Sequence, residues 1–168
     1  MSYQERRAHL EGLIAMANIS ELQIQDFDIE IKADGRWFHE GGEIKRIGLV
    51  KLFASVLSCD DEGRYWLTTP VEKGEIQVED APFVIQSMRV EGAAEQQEIF
   101  FTDNLGVEHA LGAQRPLFMQ KQGTKDPKPY LRLEKGLTAR IKHAVFYEMA
   151  EQALSADTKT EQGQVALW

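Results

Sequence analysis

A single cysteine, Cys59, in 168 residues leaves no internal disulfide to form and excludes a zinc ribbon or knuckle built on paired thiols. Long hydrophobic runs are also missing: none approaches the about 18 apolar residues that mark a membrane helix. The opening MSYQERRAHLEGL has neither the apolar stretch nor the small-residue cleavage site of a signal peptide. These absences lead us to expect a cytoplasmic protein without a membrane partner. No G-x-x-x-x-G-K-[ST], G-x-G-x-x-G, G-x-S-x-G or EF-hand loop occurs, and Gly123-Thr124-Lys125 lacks the frame of a phosphate-binding loop. His39-Glu40-Gly41-Gly42-Glu43 looks like a metalloprotease string, but zinc ligands four apart must share a helix face, and two glycines deny that. No metal or other cofactor is expected.

The chain has a net charge of −8, which argues against DNA or RNA as a partner, yet the charge is uneven. Arg115, Lys121, Lys125, Lys128, Arg132, Lys135, Arg140 and Lys142 face only Asp126 and Glu134, so this stretch carries +6 and the remainder −14. Such a block suits an anion or an acidic partner, and equally a basic surface that meets the acidic half of the same molecule.

An apolar fraction of 43% permits a real core. Ser2 and Glu5 form a capping-box pattern, and Tyr3, Leu10, Leu13, Ile14 and Ala17 then predict a helix over Tyr3 to Ala17. Ile29, Ile31 and Ala33 alternate with charged residues as a half-buried strand. Asp34-Gly35 reads as a two-residue hairpin turn, which sets Ala33 opposite Arg36, Ile31 opposite Phe38 and Glu30 opposite His39. From Ile47 to Leu57 only Gly48, Lys51 and Ser55 interrupt the apolar residues, predicting a core helix buried on most sides. Strands are expected at Arg64–Thr69, Ile76–Val78, Phe83–Val90, Glu95–Thr102, Val107–Leu111, Pro116–Gln120 and Tyr130–Leu133. A last helix after Gly136 would carry Ile141, Val145, Met149 and Ala153 on one row and Arg140, His143, Tyr147 and Glu151 on another side. Val165 to Trp168 is read as a segment that docks. The class is α+β, in two halves: 1–80 as helix, hairpin, helix and strands, and 81–168 as strands closed by one helix.

The dense run Trp37 to Phe83 sets polar residues in an apolar frame. Arg46 opens the predicted helix, where the dipole does not favour a cation, so a carboxylate or phosphate partner is implied. A structural pair with Glu43 or Asp80 is the reading we place first. Thr69-Pro70-Val71-Glu72-Lys73 places a hydroxyl, an acid and a base around a corner, which a plain turn also explains. For an anionic ligand, Arg46 and Lys73 would neutralise charge, Thr69 and Glu72 would recognise polar groups, and Asp80 would orient. Arg132 or Arg140 would come from the second half, and Tyr65 or Trp37 would stack on a base.

The strings WFHEGGEIKR, LVKLFASVL, DEGRYWLTTPVEK and VEDAPF, with the stretch Arg140 to Tyr147, resemble the bacterial family of domain of unknown function 1285. That resemblance implies a duplicated α+β core, a C-terminal half that is a pleckstrin-homology-like strand barrel closed by a helix, a nucleotide-like ligand between the halves and a role in signal transduction. It implies no enzymatic activity, and it implies further chain beyond a tryptophan such as Trp168. A ligand-binding sensor therefore ranks first. A protein-interaction module, using a sheet edge or the Arg140/His143/Tyr147 side, ranks second. A hydrolase using His39 with Glu30 or Glu72 ranks third.

Overall fold

A computed structural model describes residues 4–5 and 24–160, so the predicted helix from Tyr3 to Ala17, apart from Gln4 and Glu5, and the docking of Val165 to Trp168 lie outside the described residues. Strands β1 (Ile24–Ile31), β2 (Trp37–His39) and β3 (Gly42–Glu43) come first, followed by helix α1 (Ile47–Ser55). Strands β4 (Leu57–Cys59), β5 (Tyr65–Thr68) and β6 (Lys73–Val78) complete the first half. The second half holds β7 (Phe83–Glu91), β8 (Glu98–Asp103), β9 (Glu108–Ala110), β10 (Leu117–Gln120), β11 (Lys128–Arg132), β12 (Thr138–Ile141) and α2 (His143–Thr160).

Two six-stranded mixed sheets result, ordered β3-β2-β1-β6-β5-β4 and β10-β11-β12-β7-β8-β9. Counted within each half, both run third-second-first-sixth-fifth-fourth, with the first and sixth strands parallel and their other neighbours antiparallel. Both orders are open, ending on strands with a neighbour on one side. In the first half α1 links the third strand to the fourth, whereas in the second half a short segment does so and the helix follows the sixth strand. The two sheets do not have separate cores. Ile29, Ile31, Trp37, Leu57 and Leu67 join Phe83, Ile85, Phe101, Leu131 and Ile141 in one buried cluster.

Three local readings are corrected by this architecture. The first hairpin has a three-residue loop, because Lys32 N donates to Arg36 O at 2.9 Å and Gly35 N donates to Lys32 O at 2.9 Å. Gly35, at φ +89°, supplies the left-handed residue that such a loop requires. The register moves by one, pairing Ile31 with Trp37, Glu30 with Phe38 and Ile29 with His39. A one-residue slip exchanges faces, so Trp37 enters the core at 1% exposure and Phe38 turns outward beneath Arg36.

The second correction concerns α1, which is a surface helix. Among its residues Val50 alone is buried, while Leu52 is 61% exposed and Ile47 is also open. Nine residues laid on one sheet can bury only a single stripe, here Val50 with the partly buried Phe53 and Ala54. The helix also stops early. Leu57 forms β4 opposite Leu67, where its side chain is fully buried. Third, Thr138–Ile141 is strand β12, set between β11 and β7, and α2 starts only at His143. Arg140 therefore projects from a strand, and Val145, Phe146 and Met149 alone carry the helix's packing from the predicted row and its flank.

Strand β1 carries a further irregularity with a visible cause. Its pairing with β6 shifts between Asp26 and Glu30, and Asp28 there adopts φ +49° with its N–H held by Asp26 Oδ1 at 2.9 Å. The bulge lays the Phe27 ring directly against Gly74, where any Cβ would collide with it. Among the described residues no helix is long and apolar enough to cross a membrane.

Candidate functional site

The tip of the first hairpin is the wedge on which the halves meet. Asp34 accepts Arg36 N at 3.0 Å and Arg36 Nε at 2.7 Å, and the Arg36 backbone N–H, followed by its guanidinium, holds this carboxyl below the usual range against an opposing desolvation. Glu79 pins the tip from its own half, donating its N–H to Ile31 O at 2.9 Å and accepting Ala33 N at 2.8 Å. From the second half, Asn104 Nδ2 donates to Gly35 O at 3.3 Å while its Oδ1 accepts Val84 N at 3.0 Å. Arg140 Nη2 reaches Ala33 O at 3.4 Å. Asn104 is in turn placed by Asp103, the buried carboxylate of the β8–β9 turn. It accepts Leu105 N at 2.8 Å and Val107 N at 3.0 Å, and its other oxygen lies 2.8 Å from His109 Nε2.

Asp80, whose side chain is 8% exposed, ties the connector to the second sheet. Its Oδ1 accepts Tyr130 OH at 2.6 Å and Gln122 Nε2 at 3.0 Å. Arg140 Nε lies 3.3 Å from Oδ2 as an ion pair without the alignment of a hydrogen bond. Tyr130 and Arg140 are register partners on adjacent strands, which is why both reach one carboxylate. Burial first, and then the Asp80 carboxylate, push the Tyr130 phenol well above its ordinary value. Tyr65 is pushed up to about 12, chiefly by burial.

These two phenols set an alkaline limit. Unfolded tyrosines ionise near pH 10, below the folded values, so the unfolded chain releases protons first and stability falls from about pH 10 upward. For Tyr65 the loss is complete above its folded value of about 12. Urea titrations between about pH 8 and pH 11 are expected to show that decline, and Tyr65→Phe and Tyr130→Phe should each flatten it.

Beside the hairpin tip, both halves wall a cleft of about 410 Å³. Asp34, Arg36, Glu43, Lys45 and Asn104 give it polar walls, and Ile44, Ile47, Val50 and Leu105 with an edge of Trp37 give it an apolar trough. The first turn of α1 opens at this cleft. Arg46 is its N-cap and makes no capping hydrogen bond, and the first turn contains no acid. Its leading N–H groups therefore lack side-chain partners. The whole span 44–59 contains no acidic residue.

The nine residues singled out by sequence fall into four places. Asp80, Arg140 and Tyr65 gather at the junction with Tyr130. Trp37 lines the cleft, whereas Arg46, the N-cap of α1, falls between the lining residues Lys45 and Ile47 without lining it itself. Arg46 is exposed and pairs with neither proposed carboxylate, since Glu43 faces Arg36 at 3.8 Å and Asp80 faces Arg140. Trp37 stacks on Phe53 with ring centroids 6.2 Å apart and is closed to a base. Thr69 and Glu72 close the β5–β6 turn, where Thr69 N donates to Glu72 O at 2.8 Å and Glu72 N donates to Thr69 Oγ1 at 3.0 Å. Lys73 beside them lies 4.5 Å over the Trp66 ring. Arg132 lies 5.0 Å over Phe118 on the outer part of the second sheet. Tyr130, Gln122, Asn104 and Lys45 carry much of the junction and cleft but were not singled out; only the position of Lys45, next to Arg46, offered a signal. His39 and Glu30 project from opposite faces of the β1–β2 ladder, and Glu30 is held by Lys32 at 2.9 Å. Among the described residues no group of His, Cys, Asp and Glu could hold a metal ion.

An open mixed sheet repeated in strand order, with both copies gripping one hairpin tip, defines a two-domain α+β class. Residues 21–81 match the family model "Domain of unknown function (DUF1285), N-terminal domain", and residues 82–168 match "Protein of unknown function (DUF1285), C-terminal domain". The chain belongs to this family. It is similar to the crystal structure of a DUF1285 family protein from Silicibacter pomeroyi DSS-3 at 34% identity, covering 82% of this chain and 74% of that one, with a TM-score of 0.71. A DUF1285 family protein from Shewanella baltica OS155 is 32% identical over 74% of this chain and 91% of its own, with a TM-score of 0.59. No curated protein sequence matches the chain.

Proposed function

We propose that the protein is a non-enzymatic cytoplasmic sensor that holds an anionic, nucleotide-like ligand between its halves and acts in signal transduction, its second half serving as a pleckstrin-homology-like unit. The observation that carries this reading is the cleft of about 410 Å³ walled by both halves, which joins an apolar trough to cations. That volume suits a small molecule. Ile44, Ile47 and Leu105 suit a ring system, while Lys45 on the cleft wall and the open first turn of α1, with Arg46 beside them as its N-cap, suit a phosphate. Asp34 and Glu43 sit opposite Arg36, so the anion is taken at the Lys45–Arg46 end, not along the whole cleft. Asp80 and Arg140 act one layer back, holding the halves around the hairpin tip.

A thermal-shift panel of nucleotides at near-millimolar concentration tests the reading. A ligand at about 100 times its Kd adds about 2.7 kcal/mol, worth roughly 5–10 °C in a chain of this size. Lys45→Ala with Arg46→Ala should remove the shift and leave the unliganded melting temperature in place, because both side chains are exposed and in no ion pair among the described residues. A panel without any shift, or a full shift in the double variant, overturns it.

A further inference from the structure

Strand β10 ends its sheet, and among the described residues no strand pairs with its outer edge. Which backbone groups face outward follows from one bond. Arg132 N donates to Pro116 O at 3.0 Å, so these residues form a hydrogen-bonded pair of the β10–β11 ladder. Antiparallel pairs alternate, which makes Phe118/Tyr130 and Gln120/Lys128 the next bonded pairs. Leu117 and Met119 therefore turn their N–H and C=O groups away from β11, toward open edge. Met119 is 49% exposed.

The two sides of that edge differ in chemistry. Leu117 and Met119 share one side with Leu131, and that side is apolar. Phe118 and Gln120 share the other with Lys128 and Arg132, and the Arg132 guanidinium leans over the Phe118 ring, toward the edge. Lys121 and Lys125 extend the charge into the β10–β11 loop. None of these four cations is in an ion pair among the described residues, whereas Arg36, Arg64, Arg89, Arg115 and Arg140 all are. Pro116 and the lysines discourage pairing with a second basic edge. The same charges favour a strand of opposite sign.

We infer that β10 accepts a strand from a protein partner: an extended segment alternating acidic and apolar residues. Its carboxylates would face Lys128 and Arg132 and its apolar residues Leu117 and Met119, lengthening the second sheet by one strand. The inference is independent of the cleft ligand, since none of these residues lines the cleft.

A fluorescent heptapeptide of alternating glutamate and valine, with blocked ends, is the probe, and a lysine–valine heptapeptide is its control. Fluorescence anisotropy at low salt should show the glutamate peptide binding at least about tenfold more tightly than the control, with the preference shrinking as salt screens the charges. Met119→Pro deletes one outward N–H and no bond to β11, so it should weaken binding by about tenfold. Lys128→Glu with Arg132→Glu should do the same or more. If Met119→Pro fails to fold, a glutamate peptide N-methylated at its valines, tested on the unaltered protein, must bind about tenfold more weakly. Equal binding of the lysine peptide, equal binding of the N-methylated peptide, or no binding up to about 1 mM overturns the inference. So does self-association of the chain that Met119→Pro abolishes, which would assign the edge to a second copy.

Discussion

Asp80→Ala is expected to cost about 2–4 kcal/mol, because it strands a buried phenol and a guanidinium with one cut. Tyr130 OH loses its 2.6 Å acceptor, Gln122 loses its 3.0 Å acceptor, and Arg140 keeps its charge beside an empty space. In a chain of this length that loss corresponds to a fall in melting temperature of roughly 5–15 °C. Asp80→Asn should recover part of it, since the amide oxygen still accepts from Tyr130 while the charge facing Arg140 is gone. A double-mutant cycle with Tyr130→Phe separates these contributions: the two changes share a partner, so the sum of the single losses should exceed the double loss by about 1 kcal/mol or more. Urea unfolding provides the measurement. A loss below about 1 kcal/mol with no coupling would mean that water already serves this carboxylate.

The position of this node explains what the sequence could and could not reveal. Asp80 stood out because an acid between a strand and Ala81-Pro82 is visible locally. Its main partner did not, because Tyr130 lies 50 residues away and reads as one more aromatic in a strand. Pairing across that separation is set by the register of β11 on β12 and of β12 on β7, which no local pattern encodes. The strands themselves were legible from alternation and from their Gly and Asp turns. β5, β7 and β10 each fall within about two residues of the expected bounds.

Where pattern misled, two local preferences were in competition. The run from Ile47 to Leu57 is apolar on nearly every side, which signals burial without saying in which element. Its last residues spend that apolarity on β4, and Leu57 is buried opposite Leu67 as a strand residue. Thr138 to Ile141 joined a helical periodicity that starts in earnest at His143, and the vacant slot between β11 and β7 decided the matter. The first hairpin was misread by one residue for a similar reason. Asp-Gly suits both a two-residue and a three-residue loop. Burial of Trp37 selects the longer one, since the shorter would place that ring on the outer face. The repeated strand order is wholly tertiary: the halves share topology with no visible sequence repeat.

The same hairpin yields the second large effect. Gly35 has φ +89°, where a side chain costs about 1–2 kcal/mol in backbone strain alone. A Cβ there would also lie 2.5 Å from Asn104 Nδ2 and 3.4 Å from Val84 Cγ2. Gly35→Ala must therefore push Asn104 aside and break its bonds to Gly35 O and Val84 N, adding about 1–2 kcal/mol for two groups left unsatisfied. We expect a total loss of about 2–4 kcal/mol by urea unfolding. Asn104→Ala removes the obstacle in advance, so Gly35→Ala made on that background should cost only the strain, about 1–2 kcal/mol. Equal costs on both backgrounds would show that backbone strain alone governs this position and that the tip does not bear on the second half. Because Gly35 and Asn104 both line the cleft, the substitution should also weaken whatever the cleft binds, and it should do so even at temperatures where the variant is fully folded.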